Sequence, residues 1–209
     1  ILTTSIALYR VLESIGKRPD FVAGHSLGEY SALVAAGSLS FSDAVRLVRE
    51  RGRLMQTAVP VGEGAMSAIL GLQLNEVEEI CQQAAQGEVV SPANVNSPTQ
   101  IVIAGHQEAV ARVDVLARKY GAKRVLPLAV SAPFHCRLLK PAEIGLAKLL
   151  RQTYLDNLTF PLVNNVEAQV VTSGKEARNG LIKQVSSVVL WTSCVQVLVE
   201  EGVSKFVEV

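Results

Sequence analysis

Cysteine is scarce: Cys81, Cys136 and Cys194 are the only three in 209 residues, and no two of them stand in a Cys-x-x-Cys spacing. An odd, scattered set supports neither a disulfide framework nor a zinc site, and a reducing cytoplasm is the simpler expectation. Charge of one sign is lacking too. The 20 Lys and Arg against 19 Asp and Glu leave a net charge of +1, so no bulk field draws the chain to nucleic acid or a membrane surface. No apolar run reaches the roughly 20 residues of a membrane span, and no signal sequence is visible. Repeats and low-complexity segments are absent.

What remains is a composition of 49% hydrophobic and 19% charged residues, able to bury a full core in one or two globular domains. The amphipathic spacing of Ile1, Leu2, Ile6, Leu8, Tyr9, Leu12 and Ile15 reads as a helix already under way at the first residue. Phe206-Val207-Glu208-Val209 reads as a strand. The expectation is a piece of a longer protein, truncated at both ends.

Gly16 and Pro19 close the first helix, and the short apolar strand Phe21-Val22-Ala23 then runs into Gly24-His25-Ser26-Leu27-Gly28. A helix over about 29–36 is stopped by Gly37. Ser40 and Asp43 form a capping-box pattern that opens a long helix ending before Pro60. Strands are expected at 65–70, 89–94, 100–104 and 123–128, helices at 75–85 and 107–120, and a turn at Asn96-Ser97-Pro98. This βαββαβ order is that of a ferredoxin-like unit. It marks 61–128 as a subdomain inserted into an α/β body made of 1–60 and 129–209. A helix at 138–152, a strand near 162–163 and helices around Lys183 and at 191–200 complete that body.

Chemistry concentrates in Gly24-His25-Ser26-Leu27-Gly28. A Gly-x-Ser-x-Gly between strand and helix is a nucleophile elbow, whose small flanking residues permit a tight, strained turn that lifts the serine hydroxyl. The backbone N–H of Leu27, at the helix N-terminus, is placed to stabilise an oxyanion, an effect of roughly 3 to 4 kcal/mol per donor. A plain glycine-rich turn has the same pattern. An activated serine needs a base, and the chain holds three histidines. His25 adjoins the serine and is expected to make a structural hydrogen bond. His106 opens a subdomain helix, while His135, in Ser131-Ala132-Pro133-Phe134-His135, sits on a loop where the chain re-enters the body. A structural histidine there is the alternative.

Helical geometry singles out one cation. At about 100° per residue Arg51 falls among Leu47, Leu54, Met55 and Ala44, whereas Arg46, Arg49 and Arg53 fall elsewhere. A guanidinium on the apolar face needs an anion. That anion is either a buried acid of the protein or an acidic substrate.

Together, Gly-His-Ser-Leu-Gly-Glu-Tyr at 24–30, Arg51-Gly52 with Met55-Gln56, Asn94-x-Asn96-Ser97-Pro98 leading to Ile103-Ala104-Gly105, Ala132-Pro133-Phe134-His135, and Gln184 ahead of Trp191 resemble the malonyl-CoA:acyl-carrier-protein transacylases and related acyltransferase domains of fatty-acid and polyketide synthesis. The likeness covers essentially the whole chain. It implies a hydrolase-like α/β core with a ferredoxin-like subdomain, Ser26 as nucleophile, His135 as base, Arg51 as clamp on the malonyl carboxylate, and the Gln184 carbonyl orienting the histidine in place of an acid. Asn96 is implied to be structural or near the site, and Phe134 to mark the malonyl-selective form of its motif. Malonyl-CoA and acyl carrier protein are the implied partners, with coenzyme A and phosphopantetheine thioesters as substrates and no cofactor or metal. Arg137 and Lys140 are candidates for carrier docking, or simply a solvated face. The family's upstream Gly-Gln-Gly and a Gly-Pro-Gly after Val209 are missing, Val188 stands where proline is usual, and Cys136 where serine is common. A serine thioesterase, an acyltransferase domain of a polyketide synthase and a noncatalytic scaffold are the competing readings.

Overall fold

The computed structural model describes residues 1–209. Helix α1 (Leu2–Ser14), strand β1 (Val22–Ala23), helix α2 (Gly28–Ala35) and helix α3 (Phe41–Thr57) come first. Ser40 caps α3, its hydroxyl accepting the Asp43 N–H. Then follow β2 (Gly64–Leu70), α4 (Leu74–Ala85), β3 (Val90–Ser97), β4 (Gln100–His106), α5 (Gln107–Lys119) and β5 (Arg124–Pro127). A 3₁₀ turn at Arg137–Leu139 leads into α6 (Lys140–Gln152), and β6 (Leu162–Val163), β7 (Val170–Val171), α7 (Gly174–Gln184) and α8 (Trp191–Glu200) end the chain's regular structure.

Two sheets divide the strands. The first has the order β1-β6-β7, with β1 and β6 parallel and β7 antiparallel to β6. The second is fully antiparallel in the order β3-β4-β2-β5. The fold is thus a mixed α/β one.

Period-two alternation gives the second sheet two apolar faces. Ile69, Ile101 and Ile103 point toward α4 and α5 and build one core with Val77, Ile80 and Val113. Met66, Ala68, Val102 and Ala104 point the other way and meet Cys136. Phe134 and Leu138 pack on that second face and also on the main core formed with α1, α2, α3, α6 and α7. The 134–138 segment is therefore wedged between the second sheet and the main core, which fixes its position.

Two local expectations are corrected, and one element is added. Phe206–Val209 forms no strand: it pairs with no neighbour, and its link to the rest is Ser5 Oγ donating to the Val209 carbonyl. The turn expected at Asn96-Ser97-Pro98 lies later, since β3 continues through Ser97 and bulges keep it paired with β4 up to Gln100. β7 was not foreseen, two residues being too short to carry a pattern.

Candidate active site

Strand β1 delivers the chain to the elbow. A Cβ on Gly24 would lie 2.1 Å from the carbonyl carbon and oxygen of Gly28, so glycine is what lets the two limbs of the turn meet. Gly28 differs: nothing lies within 4 Å of its added Cβ, and the small-residue requirement falls on one flank only. We expect Gly28→Ala, at the first position of α2, to hold or gain stability by up to about 1 kcal/mol. Gly24→Ala should lose about 3 kcal/mol or more through backbone overlap. Thermal denaturation of the two variants side by side checks this, and equal losses would contradict it.

Ser26 has φ 52°, a conformation costly for a residue with a Cβ. Asn165 holds it there. Its Oδ1 accepts the Ser26 N–H at 2.7 Å while its Nδ2 donates to the Gly24 carbonyl at 2.9 Å. Asn165 follows β6, the parallel partner of β1, so elbow and latch leave the sheet at the same, carboxyl end, where sites on parallel sheets gather. Beyond the serine, Gly28 N–H bonds to His25 O and Glu29 N–H to Ser26 O. The Leu27 amide donates to no group of the protein and stands beside the serine at the start of α2.

His135 enters on the loop after β5. Pro133 packs into the space left by the absent side chain of Gly64, whose Cβ would lie 2.5 Å from the ring. Cys136 Sγ donates to the Pro133 carbonyl at 3.2 Å, and Gln56 of α3 exchanges two hydrogen bonds with Ser131. Held this way, His135 takes φ 60° and is almost fully buried. Its Nδ1 lies 2.9 Å from the Gln184 carbonyl and its Nε2 lies 2.7 Å from Ser26 Oγ. A carbonyl only accepts, so Nδ1 carries the proton and the Nε2 lone pair faces the hydroxyl. Burial, and then the charge of Arg51, push the imidazole down to about 3. It is neutral near pH 7.

Arg51 is 7% exposed. Its Nη2 donates to Ser26 Oγ at 2.8 Å and to Gln184 Oε1 at 3.1 Å, and its guanidinium lies over the Tyr30 ring, 5.8 Å from the centroid. No carboxylate lies within 4.0 Å to form an ion pair with it. Nε is buried without a partner, and Nη1 makes no protein hydrogen bond either, so three of the five N–H groups are unspent. The buried-acid alternative for Arg51 thus lacks its acid at contact distance.

Three participants had escaped the sequence reading: Asn165, Glu29 and the side chain of Gln184. Glu29, fully buried on α2, accepts on Oε2 from the Asn165 N–H at 3.0 Å and from Gln184 Nε2 at 2.9 Å, while Oε1 has no partner. Burial pushes its carboxyl up to about 7, against the pull of the Gln184 hydrogen bond, the Asn165 amide and Arg51. Gln184 Nε2 also faces the Ser26 carbonyl at 3.0 Å and Asn165 Oδ1 at 3.3 Å. One signal for Glu29 existed. An acid in the second position of a helix that is buried along most of its length has to find donors.

His25 is turned from the hydroxyl. Its Nε2 pairs with Asn96 Oδ1 at 2.9 Å, and its ring meets Trp191 edge-on at 5.6 Å between centroids. This ties the elbow to β3 of the second sheet. His106 accepts the Val89 N–H on Nδ1 and lies in the β4–α5 junction, away from the serine. A cleft of about 320 Å³ opens between the bodies, with His135, Arg137 and Ser186 on one wall and Ser91, Pro92 and Val95 on the other. A larger one, about 540 Å³, adjoins it through Ser91, Pro92 and Arg137. No cluster of three or more His, Cys, Asp or Glu side chains is arranged to hold a metal, and no helix is long and apolar enough to cross a membrane.

Known proteins resemble this chain along its whole length. The acyl transferase domain family matches residues 1–209. The malonyl CoA-acyl carrier protein transacylase of Escherichia coli (strain K12) is 51% identical over 210 residues, which is 100% of this chain and 68% of the relative. The structure of the corresponding transacylase from Coxiella burnetii superposes with a TM-score of 0.95 at 46% identity, over 97% of this chain and 64% of that one. A malonyl-transacylase solved in complex with a type II PKS acyl-carrier protein gives 0.95 at 49% identity, over 97% of this chain and 66% of its own. The chain therefore spans about two thirds of the length of these relatives. With its elbow serine, facing histidine and buried arginine in one site and half its residues shared across the whole chain, it belongs to the malonyl-CoA:acyl-carrier-protein transacylases of the acyl transferase domain family.

Proposed function

We propose that this chain carries a malonyl group from malonyl-CoA to the phosphopantetheine thiol of acyl carrier protein through an ester on Ser26, in fatty acid synthesis. The observation that carries the reading is Arg51: a buried cation touching the nucleophile, with no acid in contact and three N–H groups unspent. Its fork matches a carboxylate.

Ser26 Oγ passes its proton to His135 Nε2 and attacks the thioester carbonyl. The negative charge that develops on the carbonyl oxygen is met by the Leu27 N–H. Collapse of the tetrahedral intermediate breaks the C–S bond, and the departing coenzyme A sulfur takes the proton from the imidazolium. In the second half the carrier thiol gives its proton to His135, its sulfur attacks the ester, and Ser26 recovers the proton as it leaves. The Gln184 carbonyl keeps the imidazole in the working tautomer, a task that an acid has in other serine enzymes. After burial, the Arg51 charge is the largest influence that holds His135 down, and seating the malonyl carboxylate on Arg51 offsets it. The acidic substrate thereby strengthens its own base.

We read residues 61–128 as a ferredoxin-like subdomain, on the strength of the β3-β4-β2-β5 order, within a hydrolase-like core of 1–60 and 129–209. The chemistry uses only groups of the chain, so we assign it no cofactor, and unpaired thiols at Cys81, Cys136 and Cys194 suit a cytoplasmic setting. Incubation with radiolabelled malonyl-CoA tests the reading. Stable label on the protein that discharges to a thiol acceptor is expected; rapid release of free malonate would indicate a hydrolase, and no label a scaffold.

Specificity is tested by Arg51→Ala. The carboxylate would then be desolvated and unpaired, at a cost of about 3 to 5 kcal/mol for malonyl transfer, whereas acetyl-CoA brings no such charge. The malonyl-to-acetyl ratio of kcat/KM should fall by about a hundredfold or more. An unchanged ratio in a folded variant would refute the clamp, and Arg53→Ala, on the exposed side of α3, should leave it alone.

A further inference from the structure

We propose that Glu29 is a positioning residue for acyl selectivity: its buried acceptor oxygen fixes which end of the Gln184 side-chain amide faces Arg51, and so sets the seat of the guanidinium. The proposal rests on the reading of Arg51 as the malonyl clamp. Glu29 makes no hydrogen bond to Ser26 Oγ or Arg51, and its hydrogen-bonded links to the site pass through its two donors.

The amide of Gln184 has a donor end and an acceptor end in one buried place. As found, Nε2 points to Glu29 Oε2 and the Ser26 carbonyl, and Oε1 points to Arg51 Nη2. Reversed, the amide would set its NH₂ group against the guanidinium and its oxygen against a carboxylate and a carbonyl. Donor would then face donor and acceptor face acceptor, so every contact would be repulsive. Glu29 is thus the group that makes one orientation decisive. It has no ion-pair partner, and its free Oε1 faces the backbone of α7 at Gly180, where an added Cβ would lie 3.7 Å from it. The second donor, the Asn165 amide, belongs to the elbow latch. Loss of the latch would slow acylation by any acyl group. Loss of the Arg51 seat, whatever it does at Ser26 Oγ for every acyl group, adds a penalty that falls on malonyl alone.

That difference makes the test. Malonyl-to-acetyl ratios of kcat/KM for Ser26 acylation are measured in Glu29→Leu, Glu29→Gln, Arg51→Ala and the Glu29→Leu/Arg51→Ala double variant. Glu29→Leu should lower the ratio roughly tenfold or more, the span expected for a lost hydrogen bond to a charged group. Most of the loss should appear in KM for malonyl-CoA. Glu29→Gln keeps an acceptor for both donors and should stay within about twofold of wild type. The double variant should show the ratio of Arg51→Ala alone, because both changes act at one seat. If Glu29→Leu does not fold, Gln184→Leu, which keeps the backbone carbonyl on His135, should lower the ratio in its place. A fall in Arg51→Ala with no fall in Glu29→Leu or Gln184→Leu overturns the role of Glu29 and leaves the clamp standing. A loss in Glu29→Gln as deep as in Glu29→Leu overturns it as well. An unchanged ratio in Arg51→Ala removes the clamp itself, and the proposal with it.

Discussion

Ser26→Ala should show no malonyl adduct by intact mass after mixing with malonyl-CoA, while circular dichroism and melting temperature stay near those of the wild type. The change removes one oxygen and leaves the core untouched. That oxygen has two partners, the His135 Nε2 lone pair at 2.7 Å and Arg51 Nη2 at 2.8 Å. Alanine meets the same φ of 52° as serine, and the Asn165 latch acts on backbone atoms that the substitution leaves in place. No other serine, cysteine or threonine hydroxyl or thiol lies within hydrogen-bond reach of His135 Nε2, so activity has no second route. The thiols of Cys136 and Cys194 are buried and pushed up to about 11 and 12, which keeps them from acting as nucleophiles near neutral pH. A mass increment equal to malonyl in the variant would move the nucleophile elsewhere.

His135→Ala is expected to slow acylation by about 10² to 10⁴-fold, because the Ser26 proton then has only water to go to. The wild-type base should be available over an unusually wide range. With His135 held down at about 3, its ring stays neutral from pH 8 to below pH 5, and its imidazole resonances should not titrate there as an ordinary histidine's do near 6.5. The same depression has a sign in stability. As pH falls below 6.5 the unfolded chain takes up a proton at this histidine and the folded chain does not, so stability is lost progressively down toward pH 3. Chemical denaturation at a series of pH values should therefore show the wild type losing stability in acid relative to His135→Ala, with the difference becoming independent of pH above about pH 7. Acylation by the variant within a factor of a few of wild type would remove His135 as the base, and an ordinary titration near 6.5 would contradict the burial argument.

Much of the site was legible in the sequence for a simple reason: each legible part is local. The elbow is five consecutive residues whose steric need at Gly24 follows from the turn itself. Arg51 declares itself by falling on the apolar face of a helix, and the βαββαβ order reads off as alternating periodicities along the chain. What the family likeness contributed, the pairing of His135 with the Gln184 carbonyl, no local pattern contains. A backbone carbonyl has no residue signature, and the two positions are 49 residues apart. The same holds for the misread end at Phe206–Val209, since a strand exists only where a neighbouring edge receives it.

The sequence by itself determined the elbow that carries the candidate nucleophile, the order of the elements and which arginine is buried, because turns, helical faces and strand periods depend on residues within a few positions of one another. Only the tertiary structure decided what holds Ser26 and what surrounds the arginine. Asn165 grips a backbone 139 residues away, and Gln184 reaches the Ser26 carbonyl across 158. The buried carboxylate of Glu29 finds its donors 136 and 155 residues along the chain. Such bonds form because a buried polar group must be satisfied by whatever packing brings near. That identity is set by how β6 lies beside β1 and how α7 closes over α2, and neither is written in the residues that need the bond.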